Sequence, residues 1–293
     1  METKTRSGTW ALLAALIAGG GCEEQNPVAT TEAARGVAAH FDAAQTGRVR
    51  GSVTWVGNIP SVPKLDGCSN PIIENGPRQR VVVPNPNEPR INPTTKSVAS
   101  AVVFLRGVDA AAARQWDHPP VRVLQRDYRF HVLQGTSNSS VGFVRQGDEI
   151  EMESADPWFH AIHADGAAWF SLTFPDPHEP LRRALAHRGL VELTSAAGYY
   201  WMRAYVFVDN HPYYALTDSD GQFRMNHVPA GEYELVCWMP NWQEESHERD
   251  PESSLIIRLS FRPPVEISRR IAVHAGTTTQ AAFQVPPEQF NRK

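Results

Sequence analysis

Cysteine is scarce. Cys22, Cys68 and Cys237 are the only three in 293 residues, too few for a scaffold built on disulfides. Positive charge has no excess either: 28 Lys and Arg stand against 32 Asp and Glu, a formal charge of −4. That removes the electrostatic case for nucleic acid as a partner. No apolar run approaches the roughly 20 residues of a membrane-spanning helix. The nucleophile elbow G-x-S-x-G, the zinc-protease pattern H-E-x-x-H and the phosphate-binding P-loop are all missing. No order of Ser, His and Asp proposes a triad, so the chain is expected not to be an enzyme. The 20 Gly and 23 Pro follow no fixed period, which excludes a collagen-like chain. What is plentiful is apolar material, 41% of residues with eight Trp among them. That is enough for packed cores and argues against global disorder. The length suggests two domains.

Lys4 and Arg6 precede the apolar run Trp10–Ala18, and Gly19-Gly20-Gly21 then leads to Cys22. A basic start, a short apolar segment and small residues make an export signal. The junction resembles a bacterial lipobox, in which the Cys receives a diacylglycerol after cleavage, although Gly19 stands where Leu is usual. Residues 1–22 therefore read as a lipoprotein signal peptide with Cys22 the lipidation site, and plain secretion is the alternative. The expected location is the cell envelope, with the membrane reached through the N-terminal lipid. Residues 23–45 are small and polar and read as a flexible tether.

Beyond residue 46 the pattern is that of short strands. Val49, Gly51, Val53 and Trp55 alternate with polar residues, and Ser100–Leu105 is a continuous apolar strand. Further strands are expected at 121–124, 142–144, 149–154, 190–194, 202–208, 232–238, 255–261 and 281–285. Asp109 is placed to cap a short helix over 109–116. Leu181 and Leu185, with Gly189 as a stop, suggest another. Tyr213–Leu216, the turn Asp218-Ser219-Asp220-Gly221 and Phe223–Met225 carry a hairpin signal. Residues 243–253 read as a solvated loop. Asp218-x-Asp220-Gly221 lacks the remaining oxygens of a calcium loop and reads as a turn. Cys237 reads as a buried free thiol, a pairing with Cys68 being the alternative.

The stretches GDEIEMESADPWFHAIHADG (147–166) and GLVELTSAAGYYWMRAYVFVDNHPYYALTDSDGQFRMNHVPAGEYELVCW (189–238) resemble a family of exported bacterial proteins. In that family a plastocyanin-type cupredoxin, in some members labelled methylamine-utilisation protein, precedes a carboxypeptidase regulatory-like, transthyretin-like β-sandwich. The resemblance implies an all-β fold: a cupredoxin-like domain at 46–208 and a smaller carboxypeptidase regulatory-like domain at 209–286. The second name belongs to an accessory module and implies no peptidase. On the family pattern His160 and His163 match the two histidines of the first motif, and Gly198, Trp201 and Met202 match the second. Ser195 occupies the cysteine position and Tyr199 the histidine position. Tyr128 stands where the family has a further cysteine, with His131 nearby, and Trp238-Met239 stands for Trp-His.

A blue-copper site needs a His, Cys, His plane with a weak axial Met. With Ser195 and Tyr199 in place, the copper ligands are degenerate. His160, His163 and Met202 remain as vestigial metal candidates, no cofactor is expected, and Tyr199, Tyr200 and Trp201 are bulky enough to fill the space of a metal loop. His160 and His163, three apart, point to opposite sides of a straight strand. The expected function is binding or assembly at the cell envelope, with an envelope protein or a glycan as partner. The alternative is a periplasmic metal-binding or electron-transfer protein, in which copper would be held through His160, His163 and Met202.

Overall fold

The computed structural model describes residues 40–69, 80–252 and 254–291. The signal segment, Cys22 and the tether up to residue 39 lie outside the described residues. Those described are almost entirely β, with two short 3-10 turns, Ala43–Gln45 and Pro287–Asn291. None of their helices is long and apolar enough to cross a membrane.

Among the described residues the strands build four larger, stacked sheets and three two-stranded ones. The first holds Gln222–Pro229, Thr46–Trp55 and Thr278–Val285, in that order. The second runs Tyr214–Leu216, Val102–Arg106, Gly231–Met239, Val265–Val273. The third is Val141–Arg145, Arg203–Asp209, Gly189–Ser195, His160–Gly166, Phe170–Phe174. The fourth is Leu181–Ala184, Glu149–Ser154, Val121–Arg126, Arg129–Gln134, Ser137–Ser139. Side chains alternate between the faces of a strand, and that parity sorts the cores. Val103, Leu105, Leu235 and Cys237 face the first sheet, where Val49, Val53, Phe223 and Phe283 close one sandwich. Ile162, Ala164, Val191, Leu193 and Val206 face the fourth sheet and, with Val123, Val132 and Met152, close the other. The intervening positions Phe104, Phe207, Tyr214, Val236 and Trp238 join the second sheet to the third. Strands buried on both faces lose their polar alternation, which is why Val102–Leu105 reads as an unbroken apolar run.

The all-β class therefore holds, but the expected division at 208/209 does not describe the strand pairing. Thr46–Trp55 pairs antiparallel with Gln222–Pro229 and parallel with Thr278–Val285, and Val102–Arg106 pairs with Gly231–Met239. The first sandwich is thus assembled from segments on both sides of the second, Val121–Asp209, which is inserted within it. Alternation shows that a strand is half-buried. It does not show which sheet it joins.

Other expectations are corrected in the same way. Leu181–Ala184 is an edge strand paired with Glu149–Met152 rather than a helix, and Asp109 caps a turn by accepting from Ala111 N at 2.9 Å. Glu244–Arg249 is a strand paired with Ile256–Phe261, although all six of its residues are exposed, as a solvated segment would be. Tyr214–Leu216 and Gln222–Pro229 do not pair: the chain crosses between facing sheets at Asp218–Gly221. There Asp218 Oδ1 accepts from Asp220 N and Gln222 N, and Gly221 has φ +70°. Cys68 and Cys237 are both buried and free, and burial pushes the Cys237 thiol up to about 12.

Candidate functional site

Two regions of the inserted sandwich bring chemistry-bearing residues together. The first is its buried end. Strands Val121–Arg126 and Arg129–Gln134 are joined by the two residues Asp127 and Tyr128, with φ of 52° and 60°. Positive φ at both central positions is what a type I′ hairpin turn demands. The turn is pinned from two sides: Asp127 N donates to Asp156 Oδ1 at 3.1 Å, and Trp201 Nε1 donates to the Tyr128 carbonyl at 3.0 Å. This holds the Tyr128 ring stacked on Trp158, centroids 5.1 Å apart, and against Tyr199 at 5.4 Å. Tyr199 in turn lies 5.1 Å from the His160 ring and 5.7 Å from Trp201.

His160 is fully buried. Its Nε2 is 2.9 Å from Asp156 Oδ2, while its Nδ1 is buried without a hydrogen-bond partner among the described residues. Burial holds its pKa below 6.5, with Asp156 opposing, so the ring is neutral at pH 7. Burial also lifts the Tyr199 phenol well above its ordinary range, reinforced by Tyr128 and Asp156. Its hydroxyl donates to the Ser69 carbonyl at 3.4 Å. Tyr200 turns away, donating to the Asp66 carbonyl at 2.6 Å.

These residues do not fit a type 1 copper ion. Ser195 has no thiol, and its Oγ accepts from Ala197 N at 3.1 Å, closing its own turn. Tyr199 is a protonated phenol. His163 faces the opposite side of the strand and bonds Ser171 Oγ at 3.0 Å. Met202, 1% exposed, packs in the apolar core. Among the described residues no three His, Cys, Asp or Glu side chains are grouped to hold a metal. Trp158 completes the aromatic filling and carried no signal in the sequence. The positions of Tyr128 and Tyr199 did.

The second region is a cleft of about 630 Å3 on the outward face of the third sheet. Its floor includes His163, Glu192, Thr194 and Arg203, and its roof is the pair Glu244–Arg249 and Ile256–Phe261. The Arg203 side chain is 9% exposed. Its guanidinium reaches Glu192 Oε1 at 3.0 Å, donates to the Leu259 carbonyl and lies over the Phe261 ring at 5.5 Å. One cation thus fastens roof to floor. Outside the lining, Trp169, 79% exposed, meets the ring of His163, which does line the cleft, edge-on at 6.0 Å. None of Trp169, Glu192 and Arg203 stands out in the sequence. The strict alternation Phe170, Leu172, Phe174 would have revealed the edge strand that Trp169 precedes.

No protein-family model matches the chain, and no curated protein matches it. Solved structures similar to part of it include a Cu-containing nitrite reductase from Thermus scotoductus SA-01, at 16% identity and TM-score 0.26. That match covers 36% of this chain and 25% of the other, so the chain spans a quarter of that enzyme. A purple cupredoxin from Nitrosopumilus maritimus matches at 10% identity and TM-score 0.24, over 31% of this chain and 98% of its own. An amicyanin variant in its Cu(I) form matches at 14% and 0.25, over 36% and 97%. The class that this chain's own strands and cores define is an all-β protein of two stacked sandwiches, one inserted in the other.

Proposed function

We propose that this chain is an exported, lipid-anchored binding protein of the cell envelope. Its inserted sandwich, cupredoxin-like in descent, serves as a scaffold and not as an electron carrier. The observation that carries this reading is the aromatic filling at His160. Tyr128, Trp158 and Tyr199 pack the volume in which a copper ion would need a thiolate and a second imidazole. A hard hydroxyl at Ser195 supplies no thiolate-to-copper charge transfer, and the Tyr199 phenol keeps its proton. Among the described residues no three His, Cys, Asp or Glu side chains are grouped to hold a metal, and on this reading what the protein offers is surface. Its partner is an envelope protein or a glycan.

The test is a Cu(II) titration of the unmodified full-length protein. The expected result is weak binding with no intense visible band. Ser195→Cys combined with Tyr199→His is expected to give some coloured binding, and Ser195→Cys alone less. One tight equivalent of copper with a strong blue band in the unmodified protein overturns the reading. The unpartnered Nδ1 of His160 is what favours the other reading, a metal-binding or electron-transfer role, and that band would establish it. Attachment is tested separately: Cys22→Ala is expected to release the protein from the membrane fraction, since each buried lipid methylene contributes about 0.8 kcal/mol. A wild-type protein already soluble, with an N-terminus other than Cys22, would sink the anchor.

A further inference from the structure

We infer that the cleft between the third sheet and the Glu244–Phe261 strand pair binds an oligosaccharide, with Trp169 as its stacking platform. The inference rests on the binding-protein reading and names the ligand class.

Three observations carry it. The first is charge. Asp165, Glu192, Glu245 and Glu248 line the cleft together with Arg203, Arg258 and Arg262, so carboxylates and guanidinium groups nearly cancel. The most buried cation, Arg203, is already spent on Glu192 and the Leu259 carbonyl. A polyanion meets four carboxylates here. A metal ion meets no group of three His, Cys, Asp or Glu ligands among the described residues. A neutral ligand rich in both donors and acceptors meets complementary groups throughout, because carboxylates accept from hydroxyls and guanidinium groups donate to them.

The second observation is Trp169. At 79% exposure it is the most exposed large apolar side chain among the described residues. A lone exposed apolar side chain is ordinary on a protein surface; what sets Trp169 apart is its contact with His163, which lines the cleft. A flat indole face is complementary to the face of a sugar ring that presents C–H groups, while the hydroxyls at the ring edge turn to polar neighbours. Here the polar neighbour is His163, in edge contact with the indole at 6.0 Å and, like Asp165, a lining residue of the cleft. The third is size and texture. About 630 Å3 lies within the roughly 300–1,000 Å3 of small-molecule sites. Apolar Ile257, itself 48% exposed, adds a second apolar surface among the polar lining groups.

The experiment is isothermal titration of the purified protein with cellohexaose, chitohexaose, maltohexaose, xylohexaose and peptidoglycan glycan strands. Trp emission and the melting temperature are recorded alongside. At least one probe is expected to give a saturable isotherm with a change in Trp emission. Trp169→Ala is expected to weaken it by about tenfold or more, and Asp165→Asn by a smaller factor. Val56→Ser, exposed outside the cleft, is expected to leave it unchanged. All three variants should melt with the wild type. No saturable isotherm with any probe up to about 10 mM overturns the inference, as does binding that survives Trp169→Ala intact. Either failure leaves the copper titration standing. A blue copper band would overturn the scaffold reading whether or not a saccharide binds.

Discussion

The outward face of the third sheet is one surface with two fates. Along strand Arg203–Asp209 the residues on that face are Arg203, Tyr205 and Phe207. Their cross-strand partners are Thr194, Glu192 and Leu190. Phe207 and Leu190 lie under the second sheet, where Trp238 meets Phe207 edge-on at 5.1 Å and the Phe104 and Tyr214 rings stack at 5.1 Å. Arg203 and Thr194 lie in the cleft. Tyr205 marks the border: its ring packs against Trp238 while its hydroxyl donates to Asn87 at 3.0 Å. Five residues therefore carry the sheet from a dry junction to a polar cleft. Burial decides stability on one side and leaves chemistry free on the other.

The comparison breaks most visibly at the junction. Trp238→Ala removes the ring that both Tyr205 and Phe207 pack against and is expected to cost about 3–5 kcal/mol, read by urea unfolding. A loss below 1 kcal/mol would mean the two sandwiches are held by something else.

Next in size is the crossing at Asp218–Gly221, which brings the chain onto the first sheet. A Cβ at Gly221 would lie 2.5 Å from the Val53 carbonyl as well as at φ +70°. Gly276 has φ +71° with open space around it. Gly221→Val is expected to cost on the order of 1–3 kcal/mol, and Gly276→Val the smaller, purely conformational part. Equal melting curves for the two would remove the close approach as a cause.

A smaller effect is set by pH. Burial holds His118, His160 and His211 below their ordinary 6.5. Charges act on each: Asp117 and Arg114 on His118, Asp156 on His160, Asp209 and Arg188 on His211. Below pH 6.5 the unfolded chain takes up protons that the folded chain refuses, so stability is full above that value and falls as the pH drops. Thermal melts at pH 7.5 and 5 are expected to differ by several degrees, with a shallower dependence in His160→Gln. A protein more stable at pH 5 would contradict the buried, neutral imidazoles.

Least of all, Trp169→Ala on the open half is expected to change stability by no more than about 0.5 kcal/mol. A larger loss in urea unfolding would show that the indole is part of the fold.

Much of this was legible locally. Period-two alternation marks Thr46–Trp55, the unbroken run at Val102–Leu105 marks a strand covered on both faces, and odd spacing separates His160 from His163 once their strand is assigned. The partners of Thr46–Trp55 were not legible, because alternation is a property of neighbours in sequence while its parallel pairing joins residues about 230 apart. The same holds for the cleft. Arg203 reads as an ordinary strand residue until Glu192, Leu259 and Phe261 are brought to it from elsewhere in the chain.

The parallel pairing of Thr46–Trp55 with Thr278–Val285 also fixes an order of events. One edge of Thr46–Trp55 waits for residues about 230 positions further along to be made, and closing so long a loop is entropically costly and slow. Until then Arg48–Trp55 presents unpaired donors and acceptors along an open edge. A chain cut before Thr278 keeps that edge permanently, and such a fragment is expected to associate edge to edge with its own copies.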